Sequence, residues 1–385
     1  MFNASNLLLL LGAIYYFHWY EASIYSIDRI SNILLFIILA LSAFYTVYAF
    51  FRYRLSKVFF VIAFMLFVFF IYGIVSLMSH NSFTVAHSGT SIKTGTYIIS
   101  VFRSFLPVFA FYVFTRRGYV TERSMMIWAF IYLIVTLVVF YFTRLSFLRS
   151  YDTADITNNV GYLFVVLIPF CFVMRQQLIK YAFLLVNLAC VFISVKRGAI
   201  VCGMIAAFMV VYIDIKNSGR KRFSQFFVLF AFIAIGVYLL RDFYQSNSLF
   251  QRRLELTLEG NSSGRDALIG EFRSYFFHET SVLQILFGSG ADATLRIGQN
   301  YAHNDWWEIL IDQGLLGFVI YIVFWIELFK QWRNSKDQPT VYNLFGCCFV
   351  ILFLKTLFSM SYSMIAFPVS LCLGYSLAQL SLKTD

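Results

Sequence analysis

Long apolar runs alternate with short polar connections along most of the chain. Each run is close to the roughly 20 apolar residues that one helix needs to cross a bilayer. The pattern therefore predicts an all-α, polytopic integral membrane protein with about 12 transmembrane helices. The predicted spans are 5–21, 30–51, 57–78, 95–115, 124–143, 158–174, 178–195, 198–215, 223–240, 308–329, 341–358 and 362–381.

One long polar stretch, 241–307, separates the ninth and tenth predicted spans. Loops on a rigid scaffold often carry function, so we expect the site in this loop. Within it, a helically spaced apolar pattern predicts a short amphipathic helix lying on the outer membrane surface. The pattern consists of Leu268, Phe272, Tyr275 and Phe276. The chain is thus predicted to be a single integral-membrane domain, 1–385, with one large outer loop that contains short helices.

The composition indicates that the bilayer is the main solvent. Of 385 residues, 60% are hydrophobic and 13% are charged, and a water-soluble fold could not hide so much apolar surface. The net charge of +11 would suit nucleic-acid binding, but the basic residues lie in short connections, where they fix topology. We expect no nucleic-acid partner. All six cysteines fall inside apolar runs, so neither disulfides nor a cysteine metal site are expected.

Lys and Arg are concentrated in alternate connections, which predicts the orientation of the chain. This bias places both termini in the cytoplasm and the loop 241–307 on the outer side. The first apolar segment, 7–20, lacks a basic flank and a small-residue cleavage site, so we expect a retained span and not a signal peptide. The basic clusters on the cytoplasmic side are 52–57, 116–123, 175–180, 216–222 and 330–336.

His303 lies where the outer loop meets the tenth span, and it is the candidate catalytic residue. A neutral imidazole can accept a proton from an attacking hydroxyl group. If a helix starts here, Asn304 and Glu308 share one face and His303 is at the cap. The alternative is a hydrogen-bonded histidine without a catalytic role, with Trp306 and Trp307 belonging to the aromatic belt of the membrane interface.

Three basic residues are candidates for binding an anion on the same side. Lys196 and Arg197 separate the seventh and eighth spans at the outer surface, where the topology rule disfavours positive charge. Arg binds phosphate through two hydrogen bonds, whereas Lys acts as a point charge. Arg265 follows Gly264, which permits close approach to a ligand. The alternatives are a lipid head-group anchor for the first pair and a solvated pair with Asp266 for Arg265.

Other polar residues leave their roles open. Arg103 and Lys355 lie inside predicted spans, where a charge costs at least a few kcal/mol, so each is either paired, snorkelling or functional. Asp152 and Asp155 are weak candidates for a divalent ion. The sequence has no His/Cys cluster with metal spacing, no phosphate-binding glycine loop and no nucleophile elbow, so no metal and no cofactor are expected.

Four motifs occur in order along 190–320: Ser194-x-Lys196-Arg197-Gly198-Ala199, Gly264-Arg265, Leu286-Phe287-Gly288-x-Gly290, and His303-Asn304 followed by Leu310, Gly314-Leu315 and Gly317. Together they resemble the O-antigen polymerase and O-antigen ligase superfamily of bacterial membrane proteins. Outside this range the likeness consists only of many spans with one late outer loop. Asp305 departs from the family pattern, as do the two tryptophans after it, because smaller or aliphatic residues are frequent there.

The resemblance implies an undecaprenyl-diphosphate-linked glycan as donor and a glycosidic bond formed on the outer face of the inner membrane. It implies that His303 acts as base or aligns the acceptor hydroxyl, while Arg197 and Arg265 hold the donor diphosphate. It implies no metal and no nucleotide. The expected substrate-binding residues are Lys196, Arg197, Arg265, Asn304 and Asp305.

The expected activity is polymerisation of O-antigen or capsule repeat units, by transfer of the glycan to the next lipid-linked unit. The first alternative is a ligase that transfers finished glycan to lipid A-core or to a protein. The second is a non-catalytic exporter or flippase of the same lipid-linked glycans. The expected partners are the lipid-linked oligosaccharide, the lipid bilayer, and a chain-length regulator and flippase of the same pathway.

Overall fold

A computed structural model describes the protein at residues 3–25, 28–79, 82–84, 91–93, 95–149, 160–194, 196–217, 264–363 and 366–384, with isolated positions between 230 and 255. Helices dominate these residues. They are α1 (Ala4–Tyr25), α2 (Asp28–Arg52), α3 (Lys57–Ser79), α4 (Gly95–Arg116), α5 (Glu122–Arg149), α6 (Val160–Val165), α7 (Gln177–Ile193), α8 (Arg197–Asn217), α9 (Arg265–Ser274), α10 (Val282–Phe287), α11 (Ala293–Ile297), α12 (Asp305–Asn334), α13 (Pro339–Phe358) and α14 (Phe367–Thr384).

The helical, membrane-type fold class agrees with the prediction. Among the described residues, seven helices are long and apolar enough to cross a membrane: Ile30–Arg52, Lys57–Ser79, Tyr97–Arg116, Glu122–Phe142, Arg197–Asn217, Asp305–Asn334 and Pro339–Phe358. Shorter apolar helices cover Ala4–Phe17, Val160–Val173 and Gln177–Ile193. The count of about 12 spans is not confirmed. The ninth predicted span, 223–240, the loop segment 241–263 and the pair Asp152 and Asp155 lie outside the continuously described residues.

Two local features differ from the predicted pattern of unbroken helices. Strands β1 (Ser82–Thr84) and β2 (Ser91–Lys93) pair antiparallel in a small sheet that the all-α prediction did not include. The predicted span 158–174 is α6 followed by a 3-10 helix, Ile168–Val173. Pro169 lies at the start of the 3-10 helix. Its backbone nitrogen carries no hydrogen, so it cannot make the hydrogen bond that a continuing α-helix needs.

Helix α4 is central to the helical body, because it contacts α2, α3 and α14. Close packing of α4 on α14 depends on Gly374, where an added Cβ would lie 2.7 Å from the carbonyl oxygen of Val108. Aromatic rings fill the contact of α4 with α3, where the ring centroids of Phe59 and Tyr112 are 4.7 Å apart. Lipid tails are as apolar as these side chains, so such shape-matched contacts, rather than escape from water, hold the helices together.

Helix α12 breaks at Gly314, whose backbone has φ 63° and ψ −161°. The turn that follows α10 fills the break. Ser289 N–H donates to the carbonyl of Ile311 at 2.8 Å, and Gly290 N–H donates to the carbonyl of Asp312 at 3.0 Å. These two hydrogen bonds satisfy the carbonyls that the break leaves without a helical partner. They also attach residues 264–304, called the outer segment below because the sequence predicts them outside the membrane, to α12.

Gly288 and Gly314 lie against each other, which explains why both positions are glycine. Both have positive φ, of 77° and 63°. A Cβ on Gly314 would lie 2.4 Å from the Gly288 nitrogen, and a Cβ on Gly288 would lie 2.2 Å from the Asp312 carbonyl oxygen. Two motifs that are separate in the sequence are thus the two halves of one contact.

Replacing Gly314 with Ala should destabilise the protein by about 3 kcal/mol, because the new Cβ requires both a strained backbone and displacement of Gly288. The matched control is Gly270→Ala inside α9, where an added Cβ meets nothing within 4 Å. That control should leave stability unchanged or raise it by up to about 1 kcal/mol. Thermal unfolding of the purified protein in detergent measures both; equal effects would contradict the packing role of Gly314.

Candidate functional site

Asn304, rather than His303, caps helix α12. Its side-chain oxygen accepts from the backbone N–H of Trp306 at 3.0 Å and of Trp307 at 3.3 Å. His303 precedes the cap with φ 51°, a left-handed conformation that is uncommon for residues other than glycine. The cap position predicted for His303 is therefore corrected by one residue.

The imidazole of His303 is neutral at pH 7. Burial, together with the positive charges of Arg265 and Lys196, lowers the pKa of His303 to about 4, and burial is the largest of these causes. Both cations therefore act on the ring at short range, although they are far from it in sequence. Of the basic residues predicted for the site, Arg265 and Lys196 thus act on His303, whereas the placement of Arg197 beside the ring and the chemical roles of all these residues stay a prediction.

Arg265 begins α9, directly after Gly264, whose φ of 78° lets the chain turn into the helix. Its guanidinium donates to the carbonyl oxygen of Phe358 at 3.3 Å, at the C-terminal end of α13. It also acts electrostatically on the hydroxyl of Tyr162 in α6. Arg265 therefore contacts the ends of membrane helices and is not confined to a solvated loop.

The segment with Lys196 and Arg197 reaches the same place through Gly198. A Cβ on Gly198 would lie 2.2 Å from the Tyr162 hydroxyl oxygen and 2.8 Å from the Cβ of Phe358. Arg197 is the first residue of α8, and its side chain, like that of Lys196, is partly buried. The glycine after the basic pair thus serves close packing, which brings the pair beside the residues that Arg265 contacts.

Lys355 joins this cluster from α13, a role that the sequence left open. Its side chain is buried, and its Nζ lies 5.6 Å from the centroid of the Tyr162 ring, in a cation–π contact. It is within electrostatic range of Asp305, Arg103 and Lys196. Basic side chains from α4, α13 and the start of α8 therefore approach one another beside Tyr162.

Arg103 reaches the same region from α4 and is held by two neighbours. Its guanidinium donates to the hydroxyl of Tyr15 at 2.8 Å and to the carbonyl oxygen of Ser363 at 3.4 Å. These contacts satisfy part of the charge inside the helical body. The position of Arg103 in a span is thus accounted for by pairing with polar groups.

Asp305, which was predicted to bind substrate, is an internal anchor. Its carboxylate accepts from Tyr321 Oη at 2.6 Å, from Ser361 N at 2.7 Å and from Tyr362 N at 3.1 Å. The residue is fully buried. Asp305 holds the chain after α13 against the start of α12. A direct contact between Asp305 and a substrate would require at least one of these hydrogen bonds to break.

Glu308 holds the residue before His303. One carboxylate oxygen accepts from the backbone N–H of Ala302 at 2.7 Å, and the other accepts from the Thr294 hydroxyl at 2.5 Å. One turn later, Asp312 accepts from the backbone N–H groups of Asp292 and Thr294 at 3.2 and 3.3 Å. The outer segment is thus tied to α12 by carboxylates, and His303 owes its position to one of them.

The sequence contains a signal for these anchors that motif comparison overlooks. Asp305, Glu308 and Asp312 recur at helical spacing on one side of an otherwise apolar helix. Buried acids are rare unless they are bonded, so this spacing predicts a polar partner facing that side. Lys355 was noted as a charge inside a span, but nothing in the sequence indicated that it lies beside Tyr162, because this contact depends on the packing of separate helices.

The apolar side of α9 packs against the protein and not onto the membrane surface. Phe272 in α9 and Phe276 in the π-helix that continues it, Tyr275–Glu279, are buried, and they cluster with Ala293, Ala302 and Ile311. The helical pattern in this part of the loop was correctly recognised, but its partner was not. This small outer core supports Arg265 on one side and the segment leading to His303 on the other.

No protein-family model and no curated protein matches the sequence. The likeness to O-antigen polymerases and ligases therefore rests on the motifs themselves. Functional inference must come from the arrangement around His303, Arg265 and Lys196.

Asp292 provides a pH-dependent test of the outer segment. Burial raises the pKa of its carboxyl to about 7, against the opposing effect of Arg296, and its Oδ2 atom lacks a hydrogen-bond partner among the described groups. The folded protein thus binds one more proton than the unfolded chain between about pH 4 and pH 7. The destabilising contribution of Asp292 is absent below this window and complete above it.

Asp292→Asn should therefore stabilise the protein at pH 8 by about 2 to 4 kcal/mol and have little effect at pH 4. Asn also tolerates the left-handed backbone at this position, where φ is 57°. Unfolding midpoints measured in detergent from pH 4 to pH 8 give the comparison. A stabilisation that is the same at every pH would show that ionisation of Asp292 is not its cause.

Proposed function

We propose that the protein is a membrane glycosyltransferase that uses an undecaprenyl-diphosphate-linked glycan donor, and specifically a polymerase of O-antigen or capsule repeat units. The observation that carries the proposal is the neutral imidazole of His303 within electrostatic range of Arg265 and Lys196. A candidate proton acceptor and candidate ligands for an anionic leaving group thus lie side by side.

An anion is the ligand that suits this cluster. Lys196 and Arg103 both act unfavourably on the charge of buried Lys355, and Asp305 is the carboxylate that opposes them there. Like charges held together in a region of low dielectric repel strongly. A bound diphosphate would relieve this repulsion, and Arg265 could bind its oxygens through two hydrogen bonds while the lysines act as point charges.

The transfer itself needs few protein groups. The acceptor hydroxyl oxygen attacks the anomeric carbon of the donor sugar, and the bond from that carbon to the diphosphate oxygen breaks. The electron pair leaves with the lipid diphosphate, which the cations stabilise, while the hydroxyl proton passes to His303. Direct displacement inverts the anomeric carbon. The atoms and charges balance without a metal or nucleotide.

The low pKa of His303 bears on this step. An imidazole with a pKa of about 4 stays neutral but is a weak base at pH 7. A diphosphate bound between Arg265 and Lys196 would offset the two positive charges that lower the pKa. Donor binding would therefore increase the basicity of His303 when the proton must be taken up.

The proposed setting is the bacterial inner membrane, with both termini in the cytoplasm and the outer segment in the periplasm. The positive-inside bias of the short connections supports this orientation. A chain-length regulator and a flippase of the same pathway would be partners. A ligase that transfers finished glycan to lipid A-core or to a protein would use the same donor and the same residues, and it is the alternative.

His303→Ala should abolish glycan elongation, because the acceptor hydroxyl loses its proton acceptor. His278→Ala is the matched control, since His278 is an exposed histidine in the same outer segment. Turnover of purified lipid-linked repeat units, with equal membrane levels of each variant, is the measurement. Full activity in His303→Ala would remove the residue from the mechanism, and equal loss in both variants would point to a general disturbance of the segment.

Loss of the gene distinguishes the polymerase from the ligase. If the protein is a polymerase, surface glycan in a deletion strain should consist of single repeats attached to the core. Gel analysis of lipopolysaccharide measures the length of the surface glycan, and extraction of lipid-linked intermediates shows what accumulates on the carrier. Bare core with long polymer accumulating on undecaprenyl diphosphate would identify the ligase instead, and unchanged glycan would refute both.

A further inference from the structure

Helix α10 presents apolar side chains without a protein partner along its outer face. Val282 is 72% exposed, Leu283 68% and Phe287 50%, and none of the six residues of this helix is buried. The helix is nevertheless well defined, because Ser281 and Gln284 form a reciprocal capping box at its start. A contiguous apolar face of this kind in a folded protein marks an interaction surface.

The depth of α10 relative to the membrane follows from its contact with the helix break. Gly288, which directly follows α10, packs against Gly314. Helix α12 has 30 residues, whereas about 20 residues cross the hydrocarbon core of a bilayer. The apolar part after the break runs only from Leu315 to Phe329, before the basic residues Lys330 and Arg333. It is shorter than a full crossing, so the break and α10 lie at the level of the outer hydrocarbon layer.

The exposed face of α10 also adjoins a surface that faces lipid. Directly after the break, Leu315 and Leu316 are each 40% exposed and Val319 is 54% exposed. In a membrane-crossing helix such apolar residues contact lipid tails. Because α10 packs along this end of α12, its apolar side chains extend the same surface outward.

We propose that α10 is inserted into the outer leaflet of the bilayer, with its apolar face in contact with the upper part of the acyl chains. The occupant of this face is membrane lipid. Insertion holds the outer segment 264–304 at a fixed depth, and with it Arg265 and His303. The proposal depends on the membrane-spanning character of α12, and it stands whether or not the protein transfers glycans.

The test uses nitroxide spin labels on the full-length protein in vesicles of phosphatidylethanolamine and phosphatidylglycerol. Val282→Cys and Leu283→Cys place labels on α10. Val319→Cys is the lipid-facing reference, and Glu271→Cys, at an exposed position of α9, is the aqueous reference. The native cysteines are buried, and labelling of the parent protein gives the background. Collision rates with oxygen, which concentrates in the bilayer, and with a polar nickel complex are compared.

The labels at 282 and 283 should show a ratio of oxygen to nickel collisions close to that at 319 and several times that at 271. A ratio equal to that at 271 would mean that α10 faces water, and it would overturn the proposal. Low collision rates with both reagents would mean that another protein surface covers the face, which would also overturn it. All four substituted positions are exposed, so the variants should fold like the parent protein. Gel filtration in detergent checks this.

Discussion

The break in α12 leaves backbone carbonyls that no helical N–H reaches, and a membrane-spanning helix cannot tolerate unpaired carbonyls in a dry environment. The turn after α10 supplies two amides to the carbonyls of Ile311 and Asp312. This contact requires two glycines with positive φ, Gly288 and Gly314, to touch. This backbone pairing attaches α10 and the turn after it to α12, and Glu308 then fixes the residue before His303.

Acidic and basic side chains near His303 have different kinds of contact. Buried acids of α12 accept from backbone amides, with Glu308 holding Ala302 and Asp305 holding the chain at 361–362. Lys355 and Arg265 both lie within range of Tyr162, and Lys355 is also within electrostatic range of Lys196 and Asp305. The acids thus fix the backbone around His303, while the basic residues come together from separate helices.

The sequence allowed some of the site to be predicted, because the motifs supplied residues of the right chemistry. His303, Arg265 and Lys196 were named from their types and positions, and both cations lie within electrostatic range of the His303 ring. Asp305 was assigned to substrate, yet three hydrogen bonds hold it inside the protein. Lys355 and Tyr162 could not be assigned, because they come from different helices and meet only through packing. Spacing along one chain segment carries no information on such contacts.

The sequence by itself determined that this is a helical membrane protein, because run length and hydropathy depend only on local composition and on the thickness of a bilayer. It also indicated where charge is unusual. Tertiary structure alone decided which surfaces meet. Phe272 and Phe276 have the pattern of a membrane-surface helix but pack inward, whereas Val282 and Leu283 carry the exposed apolar face. Periodicity shows that a helix has an apolar side. Which surface covers that side depends on how the helix is attached to the rest of the protein, here through the break at Gly314.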